Sequence, residues 1–275
     1  MIGLFVREDK NKIIDGCFGA IREGLQALGV DYFVEYERDY RPCEVAVVFS
    51  MFKEATKSFA RRDIYNKQEE LGHRLLVLER GFINRDVYHS VGWNAINGAA
   101  DFQNKDMPSD RFEELNVKIK DWREDGSHIV LCSQVPWDVN VQYSHHVMWC
   151  NEIVMALRGL TNREIVFRPH PTKPQAVPPP HGTTVSFKPF MEDLKDAWAV
   201  VCYNSNSAVE AIMEGVPAFV SNNTCMAWPI ANKKLSDIER PILHKRQQWA
   251  NDLSYAQWTY EEIKQGLPLR HLGVV

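Results

Sequence analysis

Small polar residues form a short turn between an apolar run and a helical pattern in the C-terminal half of the chain. The run Ala199–Cys202 is typical of a buried strand, and Val209, Ile212 and Met213 recur at helical spacing. Such a turn offers backbone N–H groups and hydroxyls at the carboxyl end of a strand, which is a common place for phosphate to bind. The turn residues predicted to hold phosphate are Asn204, Ser205, Asn206 and Ser207.

The helix after this turn carries start and end signals. Ser207 and Glu210 have the spacing of a capping box, which predicts that Ser207 is the N-cap. Gly215 fits a helix C-terminus, and Pro217 cannot continue the helix, so the next strand begins there. The segment is therefore a βαβ unit. The alternative is that Ser207 only caps the helix and holds no ligand.

A second polar pair follows another predicted strand. Arg168 and His170 come directly after the apolar run Ile165–Phe167, so they should lie at the same carboxyl edge as the serine-rich turn. Both side chains can donate hydrogen bonds to phosphate oxygens. The alternative is a rigid Pro-containing loop with a solvated arginine and a packed histidine.

These two motifs resemble glycosyltransferases of the two-Rossmann-domain type, called GT-B. His170–Pro171 is similar to the HP motif of bacterial capsule glycosyltransferases and polysialyltransferases, and Ser205–Ser207 is similar to their serine-rich motif. Glu210–Ala211 followed by Gly215–Pro217 resembles a helix common in GT-B donor domains. The resemblance covers about residues 163–220 and is weak over the N-terminal half.

The resemblance implies a nucleotide-diphosphate sugar as donor, most readily a UDP-sugar such as UDP-glucose, with no cofactor and no essential metal. Arg168, His170 and the serine-rich turn would hold the donor phosphates. Glu210 would either contact the donor ribose, as an acid on this helix does in GT-B relatives, or only cap its own helix. The stereochemistry of transfer, the sugar and the oligomeric state stay open.

Glycosyl transfer needs a base that accepts the proton of the acceptor hydroxyl. By resemblance this base is an acid or histidine of the N-terminal domain. The preferred residue is Asp101, which is flanked by small residues, and the second is Glu79, which ends a predicted strand. Asp86 and His89 are further options. The alternative for Asp101 is an ordinary turn aspartate.

The acceptor is expected to contact Trp93 and Asn94, although Trp93 could equally anchor the core. The short segments ERGF, GWN, NGAADF and PSDR resemble parts of phage-encoded proteins. This resemblance implies a hydroxymethylpyrimidine in phage DNA as acceptor. A cell-surface or capsule glycan is the alternative acceptor.

Alternating strands and helices predict an α/β fold: two Rossmann-like domains with parallel sheets that face a cleft, as in GT-B. The expected domains are residues 1–128 on the acceptor side, residues 129–245 for the nucleotide sugar, and closing helices in residues 246–275. Residues 89–123 are rich in Gly, Asn and Asp and show no periodicity, which predicts a long irregular segment.

The composition is that of a globular protein, with 45% hydrophobic and 25% charged residues. The six cysteines have no paired spacing, which favours reduced thiols over disulfides or a zinc site. The start, MIGLFVREDKNK, lacks the apolar core of a signal peptide, and no run of about 18 apolar residues occurs. A cytoplasmic protein without a membrane span is therefore expected, in the host cytoplasm if it is phage-encoded.

DNA is a possible partner although the net charge is −4. Lys53, Lys57 and Arg61 share a helical face, and a second basic cluster contains Lys233 and Arg246. Such faces could contact DNA phosphates, but a solvated helix face is the simpler interpretation.

Two other function classes remain open. The chain could be a non-catalytic nucleotide-sugar-binding module, in which case Asp101→Asn would change nothing. It could also be a phosphate-ester hydrolase with His170 as nucleophile, although no cluster of metal ligands lies beside that residue in the sequence.

Overall fold

A computed structural model of the chain describes residues 1–51, 59–136, 138, 141 and 143–274. The strands, in chain order, are β1 Ile2–Val6, β2 Tyr32–Tyr36, β3 Val45–Phe49, β4 Arg74–Arg80, β5 Tyr88–Trp93, β6 His128–Cys132, β7 Glu164–Arg168, β8 Thr184–Val185, β9 Ala197–Cys202, β10 Ala218–Val220 and β11 Gln257–Thr259. The helices are α1 Lys12–Ala27, α2 Phe59–Glu70, α3 Asp110–Glu114, α4 Tyr143–Arg158, α5 Phe190–Asp193, α6 Ser207–Met213, α7 Gln247–Ser254, α8 Tyr260–Lys264 and α9 Leu267–His271.

The chain divides into two α/β units. Unit 1 consists of residues 1–115 and 250–275, and unit 2 consists of residues 116–249. The boundaries differ from the expected 128/129 and 245/246. Residues 116–127 belong to unit 2 because the Lys120 and Arg123 backbone N–H groups donate to Met213 and Gly215. Such long-range hydrogen bonds leave no local pattern in the sequence.

Unit 1 is built on a six-stranded sheet with the order β11-β5-β4-β3-β1-β2. The four strands β2, β1, β3 and β4 are parallel, as the sequence predicts, whereas β5 is antiparallel to β4 and β11 is antiparallel to β5. Strand β5 corrects the expectation that structure is irregular from residue 89. Its buried His89 and Ser90 break the apolar pattern by which a strand is recognised.

The core of unit 1 lies between this sheet and the helices α1, α8 and α9. Ile14, Cys17, Ile21 and Leu25 form the buried stripe of α1, at the spacing expected for one helix face. They pack in one cluster with sheet residues such as Leu76. The Asn11 side chain caps α1 by accepting hydrogen bonds from the backbone N–H groups of Ile13 and Ile14.

Unit 2 is built on a five-stranded sheet with the order β10-β9-β6-β7-β8, and all its strand pairs are parallel. Strands β6 and β9 are central and almost wholly buried, which explains their continuous apolar sequences. Together the two units confirm the predicted α/β class with parallel sheets.

Candidate functional site

In each sheet, successive strands are added first on one side of the starting strand and then on its other side. In unit 2 the chain runs from β6 outward through β7 to β8, and then returns to β9 and β10 on the other side of β6. The loops after β6 and β9 therefore run in opposite directions. This leaves a crevice at the carboxyl ends of these two strands. Ligands of open α/β sheets bind in this crevice. Ser133 and Gln134 follow β6, and the serine turn, defined here as residues 203–207, follows β9.

The two loops at this crevice are held together by hydrogen bonds of side-chain amides. Gln134 Nε2 donates to Asn204 Oδ1 at 2.5 Å, and the Asn204 backbone N–H donates to Gln134 Oε1 at 2.9 Å. Asn204 Nδ2 also donates to Thr224 Oγ1 at 2.7 Å. Asn204 is only 4% exposed. The prediction that Asn204 contacts phosphate is therefore corrected, because its polar side-chain atoms hold the loops in place.

The serine turn presents hydroxyl groups beside these hydrogen bonds. Ser207 Oγ donates to Ser205 Oγ at 2.7 Å, and the Ser207 backbone N–H donates to the same oxygen at 3.2 Å. Both serines are half-buried. The Ser205 carbonyl oxygen accepts from the thiols of Cys202 and Cys225, which fixes the backbone from below. The turn is therefore a pre-formed group of hydroxyls at the crevice.

The predicted capping box is wrong. The N-cap position is Asn206, α6 begins at Ser207, and among the described residues no side chain caps the helix. Glu210 Oε1 instead accepts from Asn206 Nδ2 at 3.0 Å. The chain enters α6 one residue earlier than the capping-box spacing requires, so Ser207 lies inside the helix and its hydroxyl bonds to Ser205. Asn206 and Glu210 form a pair on the first turn of α6.

Arg168 and His170 take different roles at the end of β7. Arg168 Nη1 donates to the Asp193 carboxylate at 2.5 Å, and Asp193 is buried. A guanidinium committed to a buried carboxylate is a structural ion pair, which corrects the prediction that Arg168 holds phosphate. His170 is half-buried beyond it, with Nδ1 3.1 Å from Thr172 Oγ1. Because β7 and β9 flank β6, His170 and the serine turn lie about two strand spacings, ~10 Å, apart along the sheet edge.

An aromatic cluster beside the crevice was missed by the sequence analysis. The rings of His146 and Trp149 stack with centroids 5.2 Å apart, and Tyr203 meets Trp149 edge-on at 5.6 Å. Trp149 Nε1 donates to Ser221 Oγ, and His146 Nε2 accepts from the Gln134 backbone N–H. Burial lowers the pKa of His146 to about 4, so the ring stays neutral and accepts that hydrogen bond. The signal was available, since His146 and Trp149 lie one turn apart on α4.

Unit 1 has the same kind of crevice between β1 and β3, because β2 lies on one side of β1 and β3 and β4 lie on its other side. A cavity of about 300 Å³ lies at these carboxyl ends, and we call it the β1–β3 cavity. Its lining includes Glu79 and Ser50. Glu79 Oε1 accepts from the Arg80 backbone N–H at 2.9 Å, which orients the carboxylate.

Asp101, Trp93 and Asn94 lie at the opposite edge of the unit 1 sheet. Trp93 and Asp101 form a β-bridge at the end of antiparallel β5, which is beside the start of β4. Asn94 accordingly exchanges hydrogen bonds with Leu75 near the start of β4. Asp101 Oδ1 accepts from the Gln103 backbone N–H at 2.9 Å. The structure therefore corrects Asp101 as the base: it is a turn aspartate, and Glu79 is the candidate at the ligand-binding edge.

The predicted acceptor contacts are corrected for the same reason. Trp93 is 1% exposed, belongs to the unit 1 core, and donates through Nε1 to the Leu272 carbonyl. Asn94 lies beside it at the amino edge of the sheet. Of the further options, Asp86 forms an exposed ion pair with Arg80, and His89 is buried against Tyr260. Burial and the nearby Arg80 lower the pKa of His89 to about 4.

The basic clusters proposed for DNA are only partly described. Lys53 and Lys57 lie outside the described residues. Arg61 is 4% exposed, pairs with Glu37 and donates to the Phe49 carbonyl, so it does not form a DNA-facing surface. Arg246 donates to the Ile212 carbonyl and covers the Trp122 ring. These two arginines contribute to packing within the fold.

The described residues, 1–51, 59–136, 138, 141 and 143–274, lack both a metal-ion cluster and a membrane-spanning helix. That part of the chain contains no group of three or more His, Cys, Asp or Glu residues that could hold a metal ion. Within the same residues, none of the helices has the length and apolar character needed to cross a bilayer. All six cysteines are buried and free, as expected.

Comparison with known proteins gives a fold but no family. No protein-family model matches the chain, and no curated protein is significantly similar to it in sequence. Two solved structures of KpsC from Thermosulfurimonas dismutans are similar in fold. The β-Kdo 2,4-transferase has a TM-score of 0.59 and 11% identity over 92% of this chain and 89% of that chain. The β-Kdo 2,7-transferase has a TM-score of 0.54 and 12% identity, with 97% and 98% coverage. The protein therefore has a GT-B-like α/β fold.

Proposed function

We propose that the protein is a glycosyltransferase that moves a sugar from a nucleotide-sugar donor to a hydroxyl of a cell-surface glycan. One observation carries the proposal: the serine turn and His170 stand on the carboxyl edge of the unit 2 sheet, on either side of the β6–β9 crevice. Hydroxyls and an imidazole at such a crevice suit the phosphate groups of a nucleotide. The fold shared with two Kdo transferases supports the same class of reaction.

The chemistry needs two kinds of group. The serine turn and His170 stabilise the negative charge that develops on the leaving nucleotide phosphate when the bond to the sugar breaks. Glu79 accepts the proton of the acceptor hydroxyl as its oxygen forms the new bond. Glu210, paired with Asn206, lies on the same helix turn and is the candidate contact for the donor ribose. The UDP-sugar remains one donor to be tested among several.

A glycan is preferred to DNA as acceptor. The two neighbours are named as β-Kdo transferases and neither name mentions DNA, whereas Arg61 and Arg246, two of the arginines in the predicted DNA surfaces, are engaged within the fold. The alternative is a non-catalytic nucleotide-sugar-binding module. It would bind the donor at the same crevice but would not transfer the sugar.

The proposal is tested by a transfer assay read by mass spectrometry. The protein is incubated with UDP-, GDP-, CDP- and CMP-sugars in two acceptor arms: capsule oligosaccharides and DNA that contains hydroxymethylcytosine. We expect the oligosaccharide to gain the mass of one sugar residue, with release of the matching nucleotide. A mass gain on DNA alone would overturn the acceptor assignment. No transfer and no nucleotide release in either arm would overturn the transferase assignment.

A further inference from the structure

We propose that the β1–β3 cavity of unit 1 binds the carboxylate of an acidic sugar, so that the acceptor is an acidic glycan. This inference rests on the proposed function, because it names the class of acceptor. The cavity lies at the position where an open α/β sheet binds its ligand. Its volume of about 300 Å³ is the lower end of the range for small-molecule sites, and suits one sugar ring with its substituents.

Several charged side chains surround the cavity. Arginines outnumber acids three to one among the residues that line it: Arg7, Arg61 and Arg80 against Glu79. A second cavity of about 300 Å³ adjoins it and shares two of its arginines. That second lining is balanced, with three arginines and three acids: Arg7, Arg38, Arg61, Glu8, Asp9 and Glu37. Arg7 and Arg61 are already paired with Asp9 and Glu37 of the second lining, so Arg80 is the arginine that an anion in the β1–β3 cavity would engage.

Arg80 is the arginine best placed to receive the anion. Its Nε atom is buried and makes no hydrogen bond in the described residues, while Nη2 donates to Asp86 at 2.6 Å. The Asp86 side chain is 94% exposed, and water competes for a surface pair of this kind, so the pair is weak. A ligand carboxylate can therefore replace Asp86 and engage Nε at the same time. Bidentate binding of this kind is the preferred geometry between arginine and a carboxylate.

Other lining groups add to the preference for a sugar acid. The N-terminal end of the 16-residue helix α1, at Asn11 and Ile13, borders the cavity, and the positive end of the helix dipole favours an anion there. Ser50 directly follows β3 and has a left-handed backbone conformation, φ 63°, which is strained for a residue other than glycine. Strain of this kind is typical of ligand-binding turns, and Ser50 offers a hydroxyl to the sugar. Glu79, next to Arg80 in sequence, then receives the proton of a hydroxyl on the same sugar.

The test is direct binding, measured by isothermal titration calorimetry on the full chain. The probes are the methyl glycosides of galacturonic, glucuronic and N-acetylneuraminic acid, each beside its uncharged carboxamide, together with inorganic phosphate. At least one acid should bind, and tenfold or more tightly than its amide. Arg80→Gln should weaken this binding tenfold or more, and Arg80→Lys should weaken it less. The matched control is Arg22→Gln, an exposed arginine on α1 about 13 Å along the axis from the cavity, which should change nothing.

Four results would overturn the inference. They are the absence of binding by every acid, equal binding of an acid and its amide, full binding by the Arg80→Gln variant, or displacement of the acid by phosphate at equal concentration, which would mark a phosphate site. Nucleotide binding is measured on the same samples. If a nucleotide binds and the sugar acids do not, this inference fails while the proposed donor site stands. If no nucleotide binds, the proposed function itself fails.

Discussion

Glu79 lines a cavity at the carboxyl end of β4, and Asp101 closes a turn beside the amino end of the same strand. The two carboxylates therefore stand at opposite edges of one sheet and cannot serve the same ligand. Local sequence could not separate them, because β5 runs antiparallel and returns the chain to the far edge before Asp101. A carboxylate has the same sequence signature at either edge.

Substituting these two acids gives a matched pair of experiments. Glu79→Gln should lower kcat by roughly 10²- to 10⁴-fold, because the amide cannot accept the acceptor proton, and should leave the donor Kd unchanged. Asp101→Asn should leave both constants within about twofold, since an amide oxygen can still accept from the Gln103 N–H. The measurement is steady-state kinetics with calorimetric donor binding. A large loss in Asp101→Asn and none in Glu79→Gln would reverse the assignment.

The sequence predicted which side chains lie at the carboxyl edge of the unit 2 sheet, but not which residues they contact. The strand ends correctly placed Arg168, His170 and Ser205 at the carboxyl edge, because strand ends are local features. The buried partner of Arg168, Asp193, comes 25 residues later and could not be inferred. The same limitation applies to Arg61, whose partner Glu37 lies on another element.

At the scale of elements, the end of α6 is fixed by one glycine. Gly215 has φ +80°, and the backbone N–H groups of Gly215 and Val216 close the last turn onto Ile212 and Ala211. A Cβ on Gly215 would lie 2.0 Å from the Asp121 carbonyl oxygen. The sequence predicted the glycine as a helix stop, but the close approach of residue 121 depends on the tertiary fold.

This close approach predicts an unequal effect of two similar substitutions in unit 2. Gly182 has nearly the same backbone conformation, φ +79°, but nothing lies within 4 Å of its added Cβ. Gly182→Ala should therefore cost about 1 kcal/mol of unfolding free energy, from backbone strain alone. Gly215→Ala should cost about 3 kcal/mol, because the clash with a backbone oxygen is added. Urea unfolding measures both, and equal losses would show that residue 121 does not approach as described.

Long amphipathic and continuously apolar elements were predictable, and short ones were not. Helix α1, Lys12–Ala27, is predictable from the sequence because its apolar stripe repeats over four turns. Strand β11 has three residues and was missed, since its place at the edge of β5 is set by the sheet and not by its own sequence. Every element that bears the candidate donor site belongs to the predictable group.

On the scale of the whole molecule, both units repeat one plan: neighbouring parallel strands with a divergent pair of loops between them, to which unit 1 adds two antiparallel strands. The sequence predicted two such units because strands and helices alternate along both halves. Unit 1 is made of both ends of the chain, with unit 2 formed by the middle. That arrangement depends on β11 and α8 packing against elements more than 150 residues earlier.

Buried histidines link the stability of the molecule to pH. His146 and His89 are 1% and 2% exposed, and burial lowers the pKa of each from 6.5 to about 4. The unfolded chain therefore takes up protons below pH 6.5 that the folded chain does not. Stability should be independent of these groups above pH 6.5 and should fall from pH 6.5 to about 4, by up to about 1.4 kcal/mol per pH unit for each histidine.

The His146→Gln variant should lose part of this pH dependence, and denaturant unfolding between pH 7 and pH 4.5 measures it. The control is His145→Gln, because His145 is the exposed neighbour on α4. A slope in His146→Gln as steep as in the wild type would contradict the buried neutral state of His146.

The central claim is that unit 2 binds a nucleotide at the β6–β9 crevice, and the most direct measurement is a thermal-shift screen with UDP, GDP, CDP and CMP. One nucleotide should raise the melting temperature, by about 5 °C at about 100 times its Kd. The shift should vanish in His170→Ala and in the Ser205→Ala/Ser207→Ala double variant, and should persist in Arg22→Gln. No shift with any nucleotide, or an undiminished shift in both crevice variants, would contradict the account.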